Sequence, residues 1–242
     1  MELAKGATDP PRSKRRARGS LSGDEIVDIA ERIVGEHGVA ELSMSLVAKE
    51  LNSGVTSIYW YFRSKDDLLQ ALADRVARQL YRGLPPIGDE SWDFELMEYF
   101  LAYRDLIERV PVYRELITFR SELLFTRSIV AKTMFRRIEA GLELLVEAGL
   151  TPVQARQAYM SCSHYTSGFV ILNHGHRRWT AGQDRGEQGG ADEEHARRRA
   201  RQLDNTEFRF GLNLIVNGIC EEFGLTRGRR RPAASRHRGR AR

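Results

Sequence analysis

Between Leu51 and Lys65 the chain reads Leu-Asn-Ser-Gly-Val-Thr-Ser-Ile-Tyr-Trp-Tyr-Phe-Arg-Ser-Lys. Two hydroxyls, Thr56 and Ser57, stand beside three aromatic side chains, Tyr59, Trp60 and Tyr61, and a lysine, Lys65, closes the run. These groups suit binding rather than bond breaking. Hydroxyls reach base edges and phosphates, and aromatic and methyl surfaces pack on thymine methyls. Ile58 and Phe62 lie four apart and share one face of a helix. Sealed against Leu46, Val47 and Leu51, that face leaves Thr56, Ser57, Trp60 and Tyr61 pointing outward. Exposed aromatics on a helix of roughly two turns are costly unless a partner covers them. The same aromatics would also suit the core of a plain helical bundle. The surrounding elements have to decide.

Ile26, Ile29, Ala30, Ile33 and Val34 repeat at the spacing of an amphipathic helix, which Gly38 stops. Ser43 is a suitable N-cap for a second helix ending near Leu51, and Asn52 tolerates a left-handed turn. A short helix over about 54–62 follows. Ser64, with Asp67 three residues on, then opens a fourth helix that carries Leu68, Leu69, Leu72 and Val76. Helix, helix, tight turn and short helix is the helix-turn-helix arrangement.

Residues 21–74 resemble the N-terminal domain of the tetracycline-repressor (TetR) family of bacterial transcription regulators. The resemblance rests on Ile26 to Ala30, Gly38, Leu42-Ser43-Met44, Val47-Ala48, Leu51, and above all Ile58-Tyr59-Trp60-Tyr61-Phe62-Arg63-Ser64-Lys65 with Leu68 and Leu69. It implies a double-stranded DNA operator as partner. Val55, Thr56 and Ser57 would open the recognition helix and face base edges. Tyr59, Trp60 and Tyr61 would meet the backbone and thymine methyls. Lys65, with the amides that start the next helix, would meet a phosphate. Three positions depart from the family pattern. Asn52 replaces a usual glycine, Ser53 a usual buried valine or isoleucine, and Ser45 a common arginine at a DNA-binding position. The absence of Arg or Gln on the recognition helix puts weight on readout of DNA shape.

The net charge of +5 is unevenly spread. Residues 1–20 hold six Lys/Arg against two acids, and residues 226–242 hold eight Arg and no acid. The ends therefore carry +4 and +8, which leaves −7 for the residues between. Residues 1–20 are expected to form a disordered basic arm beside the DNA-reading helices. The tail 226–242 is expected to be disordered, either a nonspecific nucleic-acid contact or, at its distance from the head, a solvated end.

Within 242 residues, the head is expected over 21–82 and a helical ligand-binding and dimerisation domain over 83–225. Gly83-Leu84-Pro85-Pro86 marks the seam. Apolar spacing predicts helices over 93–109, 113–125 (or a pair of turns) and 128–148. Thr151-Pro152-Val153-Gln154 opens another, to about Leu172. A charged, Gly-rich stretch from His174 to His195 reads as a mobile loop, and Asn205 to Phe223 as the final helix. The fold class is all-α.

The TetR resemblance also implies a homodimer through the last two long helices, with Gly211 and Gly218 allowing close helix approach. It implies a small-molecule effector, taken to be apolar or aromatic. Phe100, Tyr103, Tyr113, Phe119, Phe125, Met134, His164, Tyr165 and Phe169 are candidates to line its site, although each also suits an ordinary core. No arrangement suggests an enzyme, a cofactor or a metal. Cys162, His164 and the flanking serines lie too close in sequence to face one another, and His174 and His176 lack a third ligand. No apolar run approaches the roughly 20 residues that span a bilayer, and a cytoplasmic protein with reduced thiols at Cys162 and Cys220 is expected. The function expected is a ligand-responsive DNA-binding regulator, a repressor released by its effector. The alternative is a helical small-molecule or protein-binding module without specific DNA reading.

Removal of residues 1–18 is expected to weaken DNA binding and to flatten the fall of log affinity with log salt concentration, read by fluorescence anisotropy over a salt series. An unchanged slope refutes the arm.

Overall fold

A computed structural model of the chain describes the backbone of residues 21–125, 129–183 and 191–228, and within these the side chains of 21–124, 136–175 and 204–228. The expected arm, the tail beyond residue 228, residues 184–190 and the side chains of Phe125 and Met134 lie outside the described residues. The described secondary structure is entirely helical: α1 (Gly23–His37), α2 (Met44–Glu50), α3 (Val55–Tyr61), α4 (Lys65–Gly83), α5 (Trp92–Arg109), α6 (Pro111–Phe119), a 3₁₀ turn (Ser121–Phe125), α7 (Ile129–Glu147), α8 (Pro152–Gln183) and α9 (Ala191–Phe223). The chain divides into two compact units, Met1–Leu72 and Ala73–Arg242, with the division inside α4.

In the first unit, Ser22 and Glu25 form a reciprocal capping box that starts α1, and Gly38 ends it at φ 93°. Ser43 caps α2 by accepting from the Leu46 amide at 3.2 Å. Ser64 likewise accepts from the Asp67 amide at 3.0 Å ahead of α4. Each cap satisfies a backbone donor that a helix start leaves without a partner. Ile26, Ala30, Ile33 and Val34 of α1, Val47 and Ala48 of α2, Ile58 of α3 and Leu68, Leu69 and Leu72 of α4 are all buried. Asn52 takes the left-handed turn at φ 50°.

In the second unit α5 packs on α6, α7, α8 and α9, while α8 lies between α7 and α9. Pro111 ends α5 and serves as the first residue of α6, where its missing N–H costs nothing. The stretch 113–125 resolves into α6 and the 3₁₀ turn. Gly149, at φ 119°, ends α7 with the Leu150 amide donating back to the Leu145 carbonyl. Thr151 and Gln154 cap α8 reciprocally, the Thr151 amide meeting Gln154 Oε1 at 2.9 Å and the Gln154 amide meeting Thr151 Oγ1 at 3.4 Å. Leu96, Phe100, Leu144, Leu145, Phe208 and Leu212 lie at the centre of the core.

Two expectations are corrected here. The stretch read as a loop from His174 is helical to Gln183 and again from Ala191, so α8 passes Leu172 and α9 begins well before Asn205. Its Ala, Arg, Glu and Gln are strong helix formers, and each glycine costs only about 1 kcal/mol in a helix. Gly211 admits a side chain of α8, since a Cβ there would collide with the Tyr165 hydroxyl. At Gly218 a Cβ would meet nothing within 4 Å. Finally, Thr226 to Gly228 fold onto the body instead of beginning a solvated tail. Trp92 Nε1 donates to the Thr226 carbonyl at 3.1 Å. Arg227 Nε and the Gly228 amide each donate to Asp93 at 3.0 Å. Arg227 Nη1 also meets Asn213 at 3.1 Å and Asn217 at 2.8 Å.

Burial pushes the Asp93 carboxyl up, but the Gly228 amide and Arg227 guanidinium outweigh it and hold the group below its ordinary 3.8. A depressed acid contributes stability that is complete above its unfolded pKa and disappears as pH falls through the folded value. Asp93→Asn is expected to cost the body about 1–3 kcal/mol at pH 7, by urea denaturation. The gap between variant and wild type should close as pH falls below 3.8.

Candidate functional site

The short helix α3 is held by little of its own. Gly54 supplies no side-chain cap, and seven residues are too few for a helix to be stable alone. Packing against α2 fixes it. Ile58 is its one buried residue, and this sets its rotation. Thr56, Ser57, Tyr59 and Tyr61 are therefore exposed, and Trp60 is 80% exposed. Ser45 on α2 is exposed as well, while Val55 is half-buried. The apolar face thus turns inward and the hydroxyl and aromatic groups turn outward.

Two of the candidate groups are already engaged within the unit. The Tyr61 hydroxyl donates to the Leu21 carbonyl, and its ring would lie 3.7 Å from a Cβ at Gly23. Trp60 meets that ring edge-on at 5.0 Å. Tyr61 therefore secures the start of α1 while leaving Trp60 free to face outward. Lys65 Nζ donates to the Ala40 carbonyl at 3.4 Å.

The body candidates separate into two groups and two outliers. Phe100, Tyr103 and Tyr113 gather in the interior, joined by Tyr99 and Tyr159, which the sequence reading did not select. Phe100 meets the rings of Tyr99 and Tyr159 at 5.3 Å and that of Tyr103 at 6.2 Å. The hydroxyls pair, Tyr103 with Tyr113 at 2.6 Å and Tyr99 with Tyr159 at 3.0 Å. Burial pushes the Tyr99 phenol up to about 12 and raises the other three. Tyr99 precedes Tyr103 by four residues on α5, a spacing that could have revealed it.

Tyr165 and Phe169 join a second group around Phe208, at 5.4 and 5.2 Å between rings. Here the buried Arg104 lies over Phe208 at 5.2 Å and over Phe169 at 5.9 Å. Its guanidinium donates to Asn205, and to Glu108 at 3.3 Å, while its Nε has no hydrogen-bond partner among the described residues. Arg104 shares the inner face of α5 with Phe100, four residues before it, and Ile107, three after it, but its charge argues against burial. Phe119 is 62% exposed and His164 is also exposed, so neither joins the interior aromatics. Phe119 is the last residue of the short α6, and His164 falls on the outer side of α8.

Comparison with known proteins identifies the family. Residues 26–72 match the family described as bacterial regulatory proteins, tetR family, and residues 84–223 match the tetracyclin repressor-like C-terminal domain. The chain belongs to the TetR family. Over 226 residues it is 31% identical to the HTH-type transcriptional repressor Rv1353c of Mycobacterium tuberculosis, covering 87% of this chain and 84% of that protein. The crystal structure of Mycobacterium smegmatis BioQ is similar at a TM-score of 0.59 and 25% identity, over 83% of this chain and 99% of BioQ. BioQ solved with its double-stranded DNA operator is similar at a TM-score of 0.55 and 25% identity, over 84% and 99% of the two chains. The protein is a DNA-binding transcriptional regulator of helix-turn-helix type. Among the described residues no helix is long and apolar enough to cross a membrane, and no group of three or more His, Cys, Asp or Glu side chains could hold a metal ion.

One departure from the TetR pattern has a visible consequence. Ser53 has a buried Oγ in the turn between α2 and α3 with no hydrogen-bond partner among the described residues, although its amide donates to the Ala48 carbonyl at 2.9 Å. A buried hydroxyl without a partner is destabilising. Ser53→Ala is expected to stabilise the head by roughly 1 kcal/mol, measured as slower amide hydrogen exchange over residues 21–72.

Proposed function

We propose that this regulator acts as a homodimeric repressor whose paired α3 helices enter successive major grooves of an operator, and that a small apolar or aromatic effector bound in the body releases it. The observation that carries the DNA-reading assignment is the rotation of α3: Ile58 is fully buried while Thr56, Ser57, Tyr59 and Trp60 face outward. Val55, Thr56 and Ser57 read base edges, with half-buried Val55 contributing least. Tyr59 and Trp60 pack on sugar and thymine methyl surfaces. Tyr61 positions Trp60 and α1, and Lys65 and Ser45 face phosphates. Residues 21–82 form the reading head in this assignment, and residues 83–225 the effector and dimerisation domain.

The dimer is supported by apolar side chains left uncovered on the last two helices. Phe210 is 66% exposed and Leu214 lies four residues on, with the exposed Gly218 four beyond that; on α8 Leu172 is 74% exposed. Side chains at this spacing share one helical face, and a symmetric copy would cover them. Two-fold pairing also gives a short reading helix two half-sites. The interior aromatics support an effector site in the body. An effector with higher affinity for the form whose heads are wrongly spaced would release DNA by population shift.

Gel shift with the DNA upstream of the protein's own gene tests the reading. Trp60→Ala and Thr56→Ala are each expected to weaken binding by roughly fivefold or more without changing the melting temperature, since both side chains are exposed. Unchanged affinity in both variants would remove α3 from the interface.

A further inference from the structure

The folded head carries the wrong net charge for a surface that meets phosphates. Residues 21–72 hold nine Asp or Glu against four Lys or Arg, a net of −5. One of the four, Arg32, is turned to acids of its own unit, Glu36 at 3.4 Å and Glu50. Binding to duplex DNA draws on cations that displace condensed counterions. Residues 1–20, at +4, bring charge that the head lacks. They join the fold at Leu21, so the place of Leu21 decides where those cations start.

Leu21 is held at the reading helix. The Tyr61 hydroxyl, at the end of α3, donates to the Leu21 carbonyl. The other side of the same peptide is held by α1, where the Ser22 amide donates to Glu25 Oε2 at 3.0 Å. A peptide unit is planar and stiff, so these two bonds fix one plate between two helices. The start of α1 does not need the tyrosine. Ser22 Oγ accepts from the Glu25 amide at 3.2 Å, and the Ser22 carbonyl accepts from the Ile26 amide at 3.2 Å. Nor does the phenol need Leu21 for its own sake, because Tyr61 is 38% exposed and water could serve it. The hydroxyl therefore does one particular thing, which is to hold the chain where residues 1–20 enter.

The location suits DNA contact. Trp60, the most exposed aromatic side chain of α3, meets the Tyr61 ring edge-on at 5.0 Å. An extended chain covers at most about 3.5 Å per residue. The backbone of Arg18 thus starts within about 10 Å of Leu21, and that of Arg12 within about 30 Å. One turn of duplex is roughly 34 Å. Cations rooted here stay within about a turn of the groove that α3 would enter.

We propose that Tyr61 is a positioning residue for operator binding: its hydroxyl fixes the root of the basic segment 1–20 beside α3, so that the segment's cations and the reading helix act on the same stretch of duplex. This rests on the readings above that α3 enters an operator groove and that residues 1–20 meet DNA. Tyr61 then acts through Leu21, and its hydroxyl makes no DNA contact of its own.

A double-mutant cycle tests this. Wild type, Tyr61→Phe, the chain lacking residues 1–18, and that shortened chain with Tyr61→Phe are titrated against one fluorescein-labelled duplex, selected by wild type from a random pool. Anisotropy is read over a salt series. In the full chain Tyr61→Phe is expected to weaken binding by roughly three- to tenfold, up to the worth of one hydrogen bond. Log affinity should also fall less steeply with log salt concentration. In the shortened chain the same substitution should change affinity by less than about twofold. A hydroxyl that itself touched DNA, or one that only stabilised the head, would give equal losses in both chains, and equal losses overturn the proposal. So does an unchanged affinity in the full chain. A second measurement needs no DNA: amide hydrogen exchange at Ser22 should quicken several-fold in Tyr61→Phe, while exchange at Ile33 in the middle of α1 stays as in wild type. Unchanged exchange at Ser22 overturns the tie.

The same set of chains separates this from the readings beneath it. If removal of residues 1–18 alters neither affinity nor salt slope, the basic arm is refuted and the positioning role falls with it. If removal weakens binding but the two losses simply add, the positioning role alone is refuted. A wild type that selects no duplex removes the operator reading itself.

Discussion

The DNA-reading surface depends on the burial of one side chain. A seven-residue helix cannot hold itself together in water, so α3 exists because Ile58 is sealed inside the first unit. With that single contact fixed, the 3.6-residue period leaves Thr56, Ser57 and Trp60 no choice but to face outward. The caps at Ser22, Ser43 and Ser64 and the left-handed turn at Asn52 serve the same end. They set the lengths and directions of the helices that hold Ile58 in place. Tyr61 adds a second tie, from the end of α3 to the start of α1.

The body follows a different rule. Its interior is rich in aromatic side chains that carry hydroxyls, and each hydroxyl has to find a partner. Close helix approach makes this possible. Gly141 admits the Tyr159 ring and Gly211 admits the Tyr165 hydroxyl, which lies within 3.4 Å of the Glu207 and Phe208 carbonyls. Arg104 is a further buried polar group, held between carboxamide, carboxylate and two aromatic faces. At the far end of the chain, Asp93 gathers Arg227 and Gly228 and fastens residues 226–228 to α5 and α9. The polar contacts thus link elements far apart in sequence, and apolar packing fills the space between them.

Much of this was legible beforehand. The stripe from Ile26 to Val34, the Ser43 and Ser64 caps, Asn52 and the Thr151–Gln154 box each act locally, within one turn of helix, so residue type and spacing suffice to read them. The outward display of α3 was legible for the same reason. Val55 was the weakest member of the reading set and is half-buried. The stretch from His174 misled because glycine and charge suggest a loop, although its Ala, Arg and Glu favour helix. Phe119 and His164 misled because an aromatic ring is equally at home at the end of a short helix or on an outer face, and nothing local separates those from the interior.

By itself, then, the chain of residue types determined the helical class, the caps and the face that α3 turns outward, because these depend on neighbours within about four positions. Only the tertiary structure decided that Tyr61 is tied to Leu21, that Gly211 answers to Tyr165, that Arg104 is buried and that Asp93 captures Arg227. It also decided which tyrosines meet. These are encounters between residues tens of positions apart, and their partners are selected by the packing of whole helices rather than by any local period.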